Sequence, residues 1–476
     1  MNPSEPKYNQ KWNSLPIRPE LKGLINYASP FPVRPATPAQ ITYLLLKQLL
    51  ENEWLPRPQI ATQQFIKLRA LLQFAEQQCP FYTDRIRSCG LNPTEMKSLD
   101  DFSRMPLLTR KDLQDNFDFL RARTLPKGTR EAGEIATTGS TASPVKVLLT
   151  STTAAFWNAC CMRDFIWSDL DPKGKLLSLR YFPKIPQIAR TPQGHESPDW
   201  GAPVTYLFST GPSLLMDVCT DLENQLGLIL RADPDYILSY PTNLELLGQM
   251  LSQSGQKLTR LKQICTIGEV LPDLVRQNIE SLFSARVWDL YSAREVGYIA
   301  SQCPSGFGYH VHDENVLVEI LDDDGHPCIP GQPGKVVVTS LMNYRLPLIR
   351  YDIGDYAATI EGPCPCGRNL SRLSQIIGRQ RGQLIRPDGR VMFSHYLSSG
   401  INKAGAIRQF QVIQHERDRI EVIVVPMPDF GAEQEQRILE TFQNEFRCPI
   451  RVTVTRVPYI ERSPGGKYLD FVCKAK

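Results

Sequence analysis

The chain of 476 residues contains no uncharged apolar stretch of the roughly 18 residues that a membrane-spanning helix requires. Its nearest approach, Val147 to Met162, is threaded with Ser, Thr and Asn, so no membrane partner is expected. The opening residues Met1-Asn2-Pro3-Ser4-Glu5-Pro6-Lys7 have no apolar h-region, which argues against secretion and for a cytoplasmic protein. An excess of positive charge is also missing. A net charge of +4 is far from the basic footprint of a nucleic-acid binder, and no nucleic-acid partner is expected. No internal repeat is found. Cysteine is not scarce, at twelve residues, but without a secretory signal it points to reduced thiols and a metal instead of a disulfide framework. Nine of these (Cys79, Cys89, Cys160, Cys161, Cys219, Cys265, Cys328, Cys448 and Cys473) are expected to be small buried hydrophobes.

With 42% hydrophobic and 22% charged residues, the chain should fold around a core. By length it amounts to about three domain-sized units, or to one large and one small. Residues 1–57, rich in Pro and aromatics, are expected to wrap the body. Phe65, Leu68, Leu72 and Ala75 recur at helical spacing between Ile60 and Cys79, and Pro80 should end that helix. From about residue 135, short apolar strands (Val145–Leu149, Lys175–Leu179, Tyr236–Ser239) alternate with helical segments (Phe156–Phe165, Asp221–Leu230). That alternation predicts an α/β sheet with helices on its faces. After Gly378 the texture changes. Gln383–Arg386 and Val391–Phe393 flank the turn Pro387-Asp388-Gly389. Strands are predicted at Ile407–His415 and Ile420–Val425, a helix at Glu433–Phe446, and a last strand at Ile450–Val457. This is an α+β module of about a hundred residues, the size of an independent domain.

The most informative stretch is Ala136-Thr137-Thr138-Gly139-Ser140-Thr141-Ala142-Ser143-Pro144. Thr137, Thr138, Ser140 and Thr141 around Gly139 can wrap N–H and O–H donors around phosphate oxygens. This is not a Walker loop, because the G-x-x-x-x-G-K-[ST] spacing is absent and a strand follows. Further on stand Tyr291-Ser292-Ala293-Arg294-Glu295, Arg350-Tyr351-Asp352-Ile353-Gly354-Asp355, Gly378-Arg379, and Arg462-Ser463-Pro464-Gly465-Gly466-Lys467. Each motif is weak alone, but their order is specific. From about Phe65 to Lys467 the chain resembles the adenylate-forming superfamily. Within it the chain looks most like the phenylacetate–CoA ligase branch and its capsule-biosynthesis (CapK-like) relatives. Cys79-Pro80-Phe81-Tyr82, Met105-Pro106-Leu107-Leu108-Thr109, Tyr240-Pro241-Thr242-Asn243 and Gly268-Glu269 support that branch.

The resemblance implies a fold and a site. A large N-terminal α/β adenylation domain, residues 1–380, would carry a small mobile α+β domain, residues 381–476, on a hinge near Arg381-Gly382. It implies an acid–thiol ligase that activates a carboxylic acid with ATP as the acyl-adenylate. The acyl group would then pass to coenzyme A or a carrier-protein thiol. Thr137, Thr138, Gly139, Ser140 and Thr141 would hold the β- and γ-phosphates, and Glu295 would hold Mg²⁺. Tyr291, beside Ser292, would stack on adenine, and the backbone at Gly268-Glu269 would line it. Asp355 would accept the ribose hydroxyls with Arg379 close by. Lys467 would reach the α-phosphate, and Tyr240 is the candidate for the acid's pocket. A homodimer is compatible with the family.

Cys364-Pro365-Cys366-Gly367 is a C-x-C knuckle that could join Cys303 and either His310 or His312 in a Cys₃His structural zinc site. The Gly-x-His-Val context favours His310, and similar ligases carry zinc near this position. His195, His326, His395 and His415 are expected to be surface residues without partners. The sequence also departs from the family pattern. Ala142 and Ser143 replace the usual Gly and Lys of the phosphate loop, Arg294 replaces the hydroxyl before the glutamate, and Gln380-Arg381-Gly382 follows Gly-Arg. Two further readings therefore stand beside the CoA ligase. One is an adenylating transferase acting on a carrier protein, a cofactor hydroxyl or a saccharide; the other is a nucleotide-binding homologue of reduced activity.

Overall fold

A computed structural model describes residues 17–18, 21, 37–136, 145–182, 191–379, 383–393, 395–461 and 470–475. The loop 137–144, the hinge residues 380–382 and the segment carrying Lys467 lie outside them. Strands are numbered in chain order: β1 Glu131–Ala136, β2 Lys146–Thr150, β3 Leu176–Arg180, β4 His195–Ser197, β5 Ser213–Asp217, β6 Tyr236–Ser239, β7 Gln263–Ile267, β8 Arg286–Ala293, β9 Gly297–Gln302 and β10 Tyr309–Val311. These are followed by β11 Val316–Leu321, β12 Gly334–Ser340, β13 Tyr351–Thr359, β14 Arg372–Arg379, β15 Gln383–Ile385, β16 Val391–Phe393, β17 Ile407–Glu416, β18 Arg419–Pro426, β19 Arg451–Arg456 and β20 Phe471–Cys473.

Twelve strands make one sheet in the order β11-β12-β13-β14-β10-β9-β8-β7-β6-β3-β5-β4. Its middle, β8-β7-β6-β3-β5, is parallel. Parallel neighbours need crossover connections, and the helices Leu222–Ala232, Pro241–Ser254 and Asp273–Phe283 supply them. Leu177, Ile237, Ile264 and Val287 on the strands bury against Leu244, Leu247, Ile279 and Phe283 on the helices. The antiparallel half is covered by the helix Arg57–Gln78, whose Leu68, Leu71, Leu72 and Ala75 join Val336, Val338 and Tyr351 in the largest core. Cis Ala202-Pro203 precedes a short helix, Val204–Leu207.

Beyond β14 the chain builds a separate sheet, β19-β18-β17-β20, flanked by the helices His395–Ala404 and Ala432–Phe446. It has its own core, in which Ile438, Phe442 and Phe446 pack on Val412, Ile420, Val422 and Val424. The hairpin β15–β16 forms around Pro387-Asp388-Gly389 as its turn residues require.

Several expectations need correction. Ile450–Val457 is not the last strand. The chain returns as β20, which adds parallel to β17 with Val412 opposite Phe471, a pairing with no local signal. Pro80 does not simply end a helix. It occupies the first turn of the next one, Pro80–Ser88, where its missing N–H costs nothing. Within residues 1–57 a regular helix, Pro38–Asn52, is closed by a Thr37–Gln40 capping box. Cys219 is exposed, whereas Cys79 and Cys160 are buried as expected.

Candidate active site

The parallel strands end at a common edge, and there the chain sets out the sequence-predicted residues. In open α/β sheets this carboxyl edge is where ligands bind. Tyr240 follows β6 and leads into the helix Pro241–Ser254. Gly268-Glu269 follows β7, and Gly268 takes φ +73°, a left-handed turn that favours glycine. The Glu269 carboxylate accepts from the backbone N–H of Thr242 at 3.2 Å and from its hydroxyl at 2.7 Å. The turn after β7 is thereby tied to the start of the next helix. Tyr291 and Ser292 lie on β8, where a bulge between them interrupts pairing with β9 and re-aims the chain.

Across this edge Tyr291 donates its phenolic hydrogen to Asp355 at 2.8 Å, and both residues are nearly buried. Asp355 lies in β13 directly opposite Arg379 of β14 in the backbone register. The expected purine and ribose residues, 64 positions apart in sequence, are therefore in contact. Glu295 is 2% exposed, and Arg110 Nη1 stands 3.5 Å from its carboxylate. Arg110 was missed by sequence reasoning, although it directly follows the Met105–Thr109 motif. Leu108 explains the placement: its N–H donates to Arg350 O at 2.8 Å and its carbonyl accepts from Asp352 N at 2.9 Å. The segment is clamped onto the start of β13, and Arg110 is carried to the glutamate. Arg294 is exposed and donates to the carbonyl of Ala136 at 2.9 Å, at the entrance to the hydroxyl-rich loop.

Gly297 fixes this corner. It adopts φ +74°, and an added Cβ would fall 2.3 Å from the Trp157 ring. The Tyr240 hydroxyl accepts from the Tyr181 N–H at 3.3 Å, and burial raises its phenol above the ordinary tyrosine range. Thr137 to Thr141 and Lys467 fall outside the described residues, as does the side chain of Arg379.

On the far side of the antiparallel half, the side chains of Cys303, His310, Cys364 and Cys366 converge, with their donor atoms all within 4.8 Å of one another. Cys303 Sγ is 3.5 Å from Cys364 Sγ, and His310 Nε2 is 3.2 Å from Cys366 Sγ. A tetrahedron of zinc–sulfur bonds has edges of roughly 3.8 Å, so this donor set fits a closed zinc site in size as well as chemistry. The hydrogen bond from Cys303, with help from His310, holds Cys366 well below the usual thiol range. His312 is not part of the group. It lies between Arg163, 2.6 Å from Nδ1, and Ser301, 2.8 Å from Nε2, and stacks on Trp167. His415, expected to lack a partner, hydrogen-bonds Glu421 at 3.0 Å, and His326 lies 3.9 Å from Asp322.

With this geometry in view, comparison with known proteins gives a consistent result. Residues 384–474 match the family described as CapK C-terminal domain. The phenylacetate-coenzyme A ligase of Thermus thermophilus is 24% identical over 353 residues, 70% of this chain and 74% of that protein. The phenylacetate-coenzyme A ligase of Aromatoleum evansii is 23% identical over 423 residues, 85% of this chain and 92% of its own length. Among solved structures, 2-hydroxyisobutyryl-CoA ligase in the postadenylation state superposes with a TM-score of 0.70 at 18% identity, covering 89% of this chain and 91% of its own. Residues 384–474 thus belong to the CapK C-terminal domain family, and over most of its length the chain is similar to phenylacetate-coenzyme A ligases.

One of the departures noted in the sequence has a structural counterpart. The hydroxyl position before Glu295 is filled by Arg294, whose guanidinium buttresses the base of the loop through Ala136. Arg110 places a second cation beside Glu295.

Proposed function

We propose that this chain joins a carboxylic acid to coenzyme A through an acyl-adenylate, consuming ATP. The observation that carries the reading is the Tyr291–Asp355 contact at 2.8 Å, with Arg379 opposite in register, at the carboxyl edge of the parallel strands. Asp355 accepts the ribose hydroxyls, and its bond from Tyr291 fixes the ring that faces adenine. Gly268-Glu269 and Ser292 complete the base pocket. The hydroxyl-rich residues Thr137, Thr138, Ser140 and Thr141 with Gly139 cradle the departing pyrophosphate. Tyr240 lines the pocket for the acid.

In this reaction a carboxylate attacks the α-phosphorus while pyrophosphate leaves, and negative charge grows at both ends of the displacement. Lys467, from the small domain, offsets it at the α-phosphate and the attacking carboxylate. Glu295 would hold Mg²⁺, a hard cation suited to oxygen ligands, which would supply positive charge to offset that of the phosphates. Arg110 pairs with the buried Glu295 and holds its side chain in place. We divide the chain at 380/381, with the hinge at Arg381-Gly382, so that the small domain can withdraw Lys467 before thioester formation. Cys303, His310, Cys364 and Cys366 hold a structural zinc, and a closed site with four protein ligands leaves no open position for catalysis. Among the described residues no helix is long and apolar enough to cross a membrane, and the enzyme is assigned to the cytoplasm on the sequence reading.

The direct test is acid-dependent exchange of labelled pyrophosphate into ATP across aryl, fatty and amino acids, with Lys467→Ala alongside. Exchange with one acid class that the variant loses by about a hundredfold or more is the expected result. A folded protein that binds ATP and exchanges with no acid would sink the reading.

A further inference from the structure

Arg180 ends β3, at the same carboxyl edge as Tyr240, and its guanidinium has no carboxylate partner among the described residues. The acid nearest in register, Asp217 of β5, is engaged elsewhere. It accepts from the backbone N–H groups of Phe182 at 3.2 Å and Cys219 at 2.9 Å. Arg180 Nε is shut off from solvent and makes no hydrogen bond. The charge instead lies over the Phe182 ring, 5.1 Å from its centroid. Around it stand Tyr240, Tyr298, Cys161 and, at the mouth of the cleft, Arg294, contributed by four different elements. Burial and the neighbouring Arg294 hold Arg180 below the ordinary arginine value.

A half-buried cation with an unmet donor is costly, and proteins normally pair one with an acid. The same edge carries Tyr240, where the substrate acid is placed, and the Glu269 carboxylate beside it is engaged by the backbone and hydroxyl of Thr242. We infer that Arg180 is a specificity-determining residue that pairs with a second anionic group on the substrate acid, so that the natural substrate class is dicarboxylic or otherwise doubly anionic. The inference rests on the adenylation reading. The reacting carboxylate goes to Lys467 and the α-phosphate, while the distal anion goes to Arg180 with its rim charge from Arg294.

The test compares matched acids on the wild-type full chain: phenylacetate against 4-carboxyphenylacetate, and butyrate against succinate, by pyrophosphate exchange. The doubly charged member of at least one pair should be preferred by roughly a hundredfold in kcat/KM. In Arg180→Gln the KM for that acid should rise by a similar factor while the KM for ATP holds, and Arg180→Lys should keep part of the preference. A wild type that favours the singly charged acids overturns the inference and leaves adenylation standing. So does an Arg180→Gln whose defect falls on ATP, which would assign the arginine to the phosphates. Thermal melts monitored by circular dichroism establish that the variants fold, and the comparison on the wild type needs no variant. If no acid supports exchange, the adenylation reading fails separately. Calorimetric titration of 4-carboxyphenylacetate into wild type and Arg180→Gln then decides: binding lost in the variant upholds the anion site, and absent or unchanged binding overturns it.

Discussion

Tyr291 and Asp355 show how much one hydrogen bond can organise. The Tyr291 hydroxyl is committed to the carboxylate at 2.8 Å, so the phenol ring cannot turn away from the cleft. Tyr291→Phe should raise the KM for ATP by about tenfold, the usual worth of a hydrogen bond to a charged group, with a smaller change in kcat. Steady-state kinetics at saturating acid measure it. A second residue reports on stability. Burial, offset in part by the Trp288 indole N–H at 3.0 Å, pushes the Asp164 carboxyl up to about 6. Because the folded value lies above the unfolded one of about 3.9, the folded state is favoured in full below about pH 4. That advantage is lost as the pH rises through about 6. Asp164→Asn, which keeps the acceptor for Trp288, should therefore match wild type near pH 4 and exceed it by about 3 kcal/mol at pH 7.5. Urea midpoints at the two pH values would show this, and a gain independent of pH would contradict it.

At the level of elements, the corner between β8 and β9 carries both Tyr291 and Glu295, and its shape depends on Gly297. A methyl there would meet the Trp157 ring at 2.3 Å in a backbone conformation that side chains avoid. Gly297→Ala should cost about 2–4 kcal/mol and impair nucleotide binding together with stability. Chemical denaturation with an ATP titration would reveal both losses. The C-x-C knuckle works in the same way, as a clamp. It joins the loop after β13 to Cys303 after β9 and His310 on β10. The adjoining Arg368 packs its guanidinium between Trp54 and Trp167, 5.0 and 4.7 Å away, and pairs with Glu53 at 2.9 Å, fully buried. The N-terminal helices are thereby fastened to the knuckle. Native mass spectrometry should find one zinc per chain. Cys364→Ser with Cys366→Ser should lose it and lower the melting temperature by several degrees, while pyrophosphate exchange at low temperature persists.

On the scale of the whole molecule, the residues beyond β14 share no hydrophobic core cluster with the large unit. The residues from β15 to β20 bury Ile438, Phe442 and Phe446 among themselves and pair their own strands, so they satisfy the requirements of a domain. A fragment of residues 383–476 should fold alone and unfold cooperatively by circular dichroism, and a molten or aggregated fragment would count against the division. The fragment must include Phe471–Cys473, because β20 covers an edge of β17.

The fold class, the α/β alternation and the order of the motifs were legible in the chain, because periodicity, turn chemistry and short motifs are local. Tyr236–Ser239 is a strand from end to end as predicted, and Ala432–Phe446 a helix within one residue of prediction at its start, since each carries its own periodic pattern. Tertiary structure alone decided which distant residues meet. It set His310, which the Gly-x-His-Val context already favoured, among the cysteines, and left His312 to Arg163 and Ser301. It carried Arg110 to Glu295 through a bridge at Leu108, and it brought β20 back to β17. Among the described residues it also left Arg180 Nε, at the end of β3, without a hydrogen-bond partner. These are non-local pairings between side chains separated by many positions, and neither the spacing of residues nor their local propensities encode them.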